Sequence, residues 1–255
     1  MNYKHALQDK QFHIYFQPKI DNRTHQLIGA EALTRLVIDD IIYPPATFLP
    51  TVESEGLSDD FGEYVITHAL ADFKAWHTAS PHLRLSVNVS PSQLKKRTAT
   101  GQLYLKQVIK ESLQCYQLPA SCLELEITEG EAVDEHALIL ALKELKTVGL
   151  SIVLDDVGKG FNDFTRFHDL VQSDVLDGFK IDKSFIMNIH AFPSQQAFVS
   201  SFIRLGESLQ LVMTAEGVET EEDIQWLNKT ACNQLQGYFY HPPLPKDVFE
   251  STYNL

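Results

Sequence analysis

Two adjacent carboxylates at the end of an apolar run are the starting point for any chemistry in this 255-residue sequence. In Leu150-Ser151-Ile152-Val153-Leu154-Asp155-Asp156-Val157-Gly158-Lys159-Gly160, a β-branched run ends in two acids and then meets two glycines. That pattern reads as a buried strand breaking into a loop at Asp155. Like charges so close do not both ionise cheaply away from water, so either one keeps a proton or a cation lies between them. No comparable cluster of Lys or Arg adjoins them in the sequence, which favours a metal ion.

Residues of the same kind recur at or just beyond the ends of other short apolar runs: Glu31 and Arg35, Asn88, Glu126 with Glu129, Lys180 with Asp182, Glu216 with Glu219, and Gln236. If those ends converge, one cleft holds several acids, an amide and a lysine. Oxygen donors from Asp, Glu and Asn suit Mg²⁺, Mn²⁺ or Ca²⁺, whereas zinc usually recruits His or Cys. The ten histidines form no His-x-x-x-His pair. Two ions sharing a bridging carboxylate would polarise a phosphoryl group and create a hydroxide near neutral pH.

The elements that would position these groups alternate in type. Runs of strand length occur at Phe12 to Phe16, Leu27 to Leu33, Leu83 to Val89, Leu123 to Ile127, Leu150 to Leu154, Val175 to Ile181, Leu209 to Ala215 and Leu235 to Tyr240. Amphipathic stretches lie between several of them. Phe61, Val65, Ala69, Phe73 and Trp76 form one helical face, and Phe198, Phe202, Leu205 and Leu209 another. Asp134 can cap a helix carrying Leu138, Ala141, Leu142 and Leu145 that Gly149 would end, and Thr220 with Asp223 resembles a capping box. Eight candidate strands interleaved with helices have the rhythm of a (β/α)₈ barrel, in which the C-terminal strand ends converge on one face. A doubly wound open sheet is the alternative that the pattern alone allows.

Bulk properties narrow the partners. A 44% hydrophobic chain of this length can core one barrel-sized domain, and no low-complexity run or linker divides it. A net charge of −13 argues against DNA, RNA or an anionic membrane surface as partner. Cys115, Cys122 and Cys232 are odd in number and far apart, which fits buried free thiols in a reducing compartment. With no apolar core after Met1 and no run of spanning length, a soluble cytoplasmic protein is expected.

Taken together, the motifs resemble those of the EAL-domain cyclic-di-GMP phosphodiesterases. Glu31-Ala32-Leu33-Thr34-Arg35 matches the family's Glu-Ala-Leu-x-Arg signature. Phe16-Gln17-Pro18-Lys19, Asn88-Val89-Ser90, Glu126-Ile127-Thr128-Glu129, Asp155-Asp156-Val157-Gly158, Lys180-Ile181-Asp182, Ala215-Glu216-Gly217-Val218-Glu219-Thr220 and Gln236-Gly237-Tyr238 follow in the family's order. They extend from Leu7 to about Pro245, so one EAL domain over 1–255 is expected, with no receiver, sensor or cyclase domain attached. The resemblance implies a modified TIM barrel whose first strand is antiparallel to the rest.

It also implies roles. The positions of Glu31, Asn88, Glu126 and Asp155 bind one metal, and those of Asp155, Asp156 and Glu216 hold the second, so that Asp155 bridges. Lys180 contacts the attacking water, Glu219 supports the metal and water cluster, and Glu129 braces the loop after the fifth strand. Gln17, Leu33, Arg35, Asp182 and Gln236 fall on the substrate side, Arg35 being suited to bidentate contact with a phosphate. The expected reaction is hydrolysis of cyclic di-GMP to linear pGpG with two Mg²⁺ or Mn²⁺ ions, inhibited by Ca²⁺, in a homodimer.

The sequence departs from the family in one loop. Active relatives commonly read Asp-Asp-Phe-Gly-Thr-Gly there, where this chain has Val157 and Lys159. Both acids and both glycines persist. The change raises a second reading, a catalytically silent module that binds cyclic di-GMP or regulates a protein partner. An unrelated metal-dependent barrel of enolase type would explain acids at strand ends but not the ordered motifs.

Overall fold

The computed structural model describes residues 2–128, 134–158 and 163–255. In chain order its elements are α1 (Tyr3–Gln8), β1 (Phe12–Asp21), β2 (Leu27–Ile38), β3 (Ile41–Tyr43), α2 (Pro45–Ser54), α3 (Ser58–Ala79), β4 (Arg84–Val89), α4 (Tyr104–Tyr116), β5 (Leu123–Ile127), α5 (Glu135–Lys146), β6 (Ser151–Val157), α6 (Asp163–Gln172), β7 (Gly178–Ile181), α7 (Lys183–Ile186), α8 (Pro193–Leu209), β8 (Val212–Ala215), α9 (Glu221–Leu227), β9 (Gln234–Leu235), β10 (Leu244–Pro245) and α10 (Lys246–Tyr253).

Eight strands close into a barrel. From β2 the order runs through β4, β5, β6, β7 and β8 to β9, every neighbour parallel. β1 closes the ring by pairing antiparallel to β2 on one side and to β9 on the other. This is the modified barrel with an inverted first strand that the motifs imply. Each of the eight apolar runs overlaps a barrel strand, while β3 and β10 are short antiparallel additions at the edges of β2 and β1. Their two or three residues are too few to show a period.

Side-chain alternation along β1 explains the layering. Phe12 packs on Phe48 and Phe61, and Phe16 on Trp76 and Phe249, so these rings face the surrounding helices. Gln17 and Lys19 lie on the opposite face, inside the barrel, and both are buried. The core is thus a layer between barrel and helices, fed by the buried α3 face Phe61, Val65, Ala69, Phe73 and Trp76. The barrel interior is polar instead. Ser86, Glu124, Glu126 and Lys180 are buried there beside Lys19, where a barrel ordinarily stacks branched apolar side chains.

Two helices correct the sequence reading. On α8 the buried residues are Val199, Phe202, Ile203 and Gly206, while Phe198 and Leu209 are exposed. Gly206 sets the rotation: a Cβ there would stand 2.3 Å from Met213 Sδ on β8, so the helix meets the sheet through the one residue without a side chain. Asp134 does cap α5 through His136 N. The Thr220 hydroxyl accepts from Asp223 N, but the Asp223 carboxylate bonds His190, so the cap of α9 lacks its reciprocal arm. Cys115 is exposed on α4, contrary to the expectation of three buried thiols; Cys122 and Cys232 are buried.

Candidate active site

The pair Asp155-Asp156 could not act on one ligand from a regular strand, because consecutive side chains alternate across it. β6 breaks that rule at this point. Leu154 pairs with Phe179 and Val157 with Ile181, so Asp155 and Asp156 together oppose the single residue Lys180. The extra residue is a β-bulge, which re-aims a side chain at the rim of a sheet. Asp156 takes φ 54°, in the left-handed region that Asp tolerates better than most residues. Gly158 follows with φ 104°, and a Cβ on it would lie 2.9 Å from the Phe185 ring. Val157 itself is buried in register with Ile181. Lys159 and the loop-bracing candidate Glu129 lie outside the described residues.

The bulge brings three acids together. One oxygen from each of Asp155, Asp156 and Glu216 lies within 4.8 Å of the others. All are half-buried hard donors, so the donor set and spacing fit one or more divalent cations.

Lys180 rises from β7 into the centre of the acids. Its Nζ stands 2.6 Å from Glu216 Oε1, 2.7 Å from Glu126 Oε2, 3.2 Å from Asp155 Oδ1 and 3.3 Å from Glu31 Oε2. A lysine does therefore adjoin the acid pair, although it is remote from it in sequence. Glu31 is held by two amides: Asn88 Nδ2 donates to its Oε1 and Gln236 Nε2 to its Oε2, both at 2.6 Å. Gln236 Nε2 also reaches Gln17 Oε1 at 3.1 Å.

Negative charge exceeds positive charge here. Burial alone would lower the Lys180 pKa, but Asp155, Glu126, Glu216 and Glu31 outweigh it and hold the ammonium well above the usual lysine range. Burial would likewise raise Glu126, yet Lys180 and Lys19 bring it down to about 2. Glu216 and Glu31 lack such compensation. Burial, with Asp155 and Glu31 adding to it, pushes Glu216 up to about 8 against the pull of Lys180. Glu31 is raised too, by burial and by its neighbours Glu126 and Asp155. Carboxylates crowded beyond the cations available hold protons or take up a metal ion.

A cavity of about 380 Å³ opens beside this cluster and is floored by Glu31, Asn88, Asp155, Lys180 and Glu216. Leu33, Gln17 and Thr34 border it, and Pro45, Leu49, Phe61 and Val65 form an apolar wall from α2 and α3. Apolar surface on one side suits flat rings, and the acidic floor on the other would take an anionic group only where divalent cations offset its charge.

The other expected site residues are dispersed. Arg35 is half-buried, donates from Nη1 to Thr34 O at 2.9 Å and lies 5.6 Å over the Tyr15 ring. Asp182 is buried and caps α7 by accepting from Ser184 N. Glu219 is exposed and does not line the cavity. Its neighbour Val218 is fully buried, so the backbone that inserts Val218 turns Glu219 outward. Lys19, Glu124 and Gln93 carry structural weight that the sequence reading did not assign. Glu124 and Glu126 alternate with Leu123, Leu125 and Ile127 in a strand buried throughout, and that period of two was the available signal.

The family model described as EAL domain matches residues 2–243, and the chain belongs to this family. Among curated proteins, the chain is 33% identical over 250 residues to the signaling protein YkoW of Bacillus subtilis, covering 97% of this chain and 30% of that protein. It is 30% identical over 241 residues to the cyclic di-GMP phosphodiesterase PA2567 of Pseudomonas aeruginosa (94% of this chain, 39% of the other). It is also 30% identical over 254 residues to the cyclic di-GMP phosphodiesterase PdeR of Escherichia coli (99% and 37%). The chain thus spans about a third of the length of these relatives. Among solved structures, the complex described as PaMucR phosphodiesterase with c-di-GMP superposes with a TM-score of 0.85 at 30% identity, over 97% of each chain. An EAL domain protein from Listeria monocytogenes gives 0.84 at 25% identity, over 100% of this chain and 98% of that one. Among the described residues no helix is long and apolar enough to cross a membrane.

Proposed function

We propose that the chain is a divalent-metal-dependent phosphodiesterase that hydrolyses cyclic di-GMP to linear pGpG. The observation that carries the reading is the bulge-driven convergence of Asp155, Asp156 and Glu216 on one point, with Lys180 beside them at the floor of the cavity. Relatives bearing the name cyclic di-GMP phosphodiesterase, and a neighbouring structure that contains this nucleotide, support the choice of substrate.

In this reading Asp155, Asp156 and Glu216 hold one Mg²⁺ or Mn²⁺ ion, and Asp155 with Glu31, Asn88 and Glu126 a second. Such ions would supply Lewis-acid stabilisation of charge on the phosphodiester and lower the pKa of water. The chain's own residues do the rest. Lys180 offers ammonium protons to the attacking water and fixes it relative to Asp155 and Glu216. Asn88 and Gln236 hold Glu31 in one rotamer, and Gln17 and Leu33 border the groove that orients the substrate for in-line displacement. Arg35 meets a phosphate oxygen once released from Thr34, Asp182 anchors the loop after β7 on the substrate side, and Glu219 supports the metal and water cluster once its loop turns it inward. We assign Glu129 the bracing of the loop after β6. A homodimer, a cytoplasmic location, inhibition by Ca²⁺ and one EAL domain over 1–255 belong to the same proposal.

The test is incubation of purified protein with cyclic di-GMP and Mg²⁺, Mn²⁺, Ca²⁺ or EDTA, following pGpG by chromatography. Product with Mg²⁺ or Mn²⁺, lost on EDTA, is expected. Intact nucleotide that is nevertheless bound would replace this reading with that of a silent sensor.

A further inference from the structure

Behind the acid cluster, deeper in the barrel, lies a second ion group. Lys19 is 3% exposed, and its Nζ donates to Ser86 Oγ at 2.6 Å, Glu124 Oε1 at 2.6 Å and Glu126 Oε1 at 2.5 Å. Three acceptors use all three hydrogens of the ammonium. Glu126 is fully buried and gives its other oxygen to Lys180 at 2.7 Å. Its carboxylate is therefore clamped from opposite sides, and turning it would break both contacts.

We propose that Lys19 is a positioning residue of the active site, which fixes Glu126 from behind and, through Glu126, the place of Lys180 among Glu31, Asp155 and Glu216. This rests on the metal-dependent reading above. The placement is hard to explain by stability alone. A buried ion pair is often no more stabilising than apolar side chains of the same volume, and barrels ordinarily fill this space with branched residues. What apolar residues cannot do is hold one carboxylate oxygen so that the other faces the site. Partners one step behind metal ligands orient them, and their loss typically costs about 10–100-fold in metal affinity.

The test compares Lys19→Met and the double variant Lys19→Met/Glu124→Gln with the wild-type chain. The double variant removes the rear pair without leaving Glu124 charged and unpartnered. Mn²⁺ binding is measured by calorimetric titration and fold by melting in EDTA. The expected result is a double variant that melts near the wild type but binds Mn²⁺ about 10-fold or more weakly. Wild-type Mn²⁺ affinity in either folded variant would overturn the proposal, as would failure of both to fold, which would assign Lys19 to the core. A wild-type chain that does not bind Mn²⁺ would instead sink the metal reading and leave no site for Lys19 to position.

Discussion

Lys180 Nζ stands 2.6 Å from Glu216 Oε1, yet the Glu216 carboxyl is pushed up to about 8, because burial and the adjoining acids Asp155 and Glu31 outweigh that contact. Lys180 is shared among four carboxylates and cannot neutralise all of them. A folded pKa above the ordinary 4.5 has a defined consequence for stability. The contribution of Glu216 is fully present below about pH 4.5 and is lost as the pH rises through about 8. Melting in EDTA should therefore fall by several degrees between pH 5 and pH 9. A divalent ion competes with the same proton, so the gain in melting temperature on adding Mn²⁺ should grow across that window. A gain independent of pH would contradict the protonated Glu216.

Replacement of Glu31 or Asp155 by Ala should reduce hydrolysis by more than about 100-fold while leaving the fold in place, since each removes a cluster acid and little core volume. Asp155 is the stricter case, because it borders Lys180 and belongs to the convergent trio. Initial rates of pGpG formation and circular dichroism of the same samples decide it. A folded Asp155→Ala protein with most of its activity would exclude Asp155 from the site.

The sequence carried the barrel because eight apolar runs and their order survive in the structure, and it carried the acids because they stand where those runs end. It did not show how Asp155 and Asp156 act together. Strict alternation sends them to opposite faces, and the bulge that reunites them depends on the register between β6 and β7, a tertiary fact. Lys19 was equally hidden: a lone lysine in a strand looks like a solvent-facing residue until the barrel closes around it with Glu124 and Glu126. The α8 stripe shifted for a similar reason, since close packing at Gly206 rather than total hydrophobicity selects the buried face.

Lys180→Met should separate charge balance from catalysis. Without the ammonium, Glu31, Glu126, Asp155 and Glu216 face one another, and breaking a buried ion cluster by removing one partner typically costs about 3–5 kcal/mol. The loss should be greatest in EDTA at high pH, where the acids are ionised. Mn²⁺ should recover part of it by taking over as counter-charge, although hydrolysis stays absent. Denaturant unfolding with and without Mn²⁺ measures both, and an equal loss in the two conditions would show that no ion enters the cluster.

Asp156 offers the sharpest separation of backbone from side chain. Its φ of 54° costs a non-glycine residue about 1 kcal/mol, which glycine does not incur. Asp156→Gly should therefore melt at or slightly above the wild type in EDTA, the added chain entropy of glycine offsetting part of the gain. The same change removes one of the three oxygens that converge with Asp155 and Glu216, so Mn²⁺ binding should weaken by at least about 10-fold and hydrolysis should fall with it. Unfolding curves in EDTA, set beside calorimetric titration of Mn²⁺, test the two halves independently. A destabilised Asp156→Gly protein would mean that the carboxylate, rather than the left-handed backbone, maintains the bulge; unchanged Mn²⁺ binding would leave Asp155 and Glu216 to hold the ion without it.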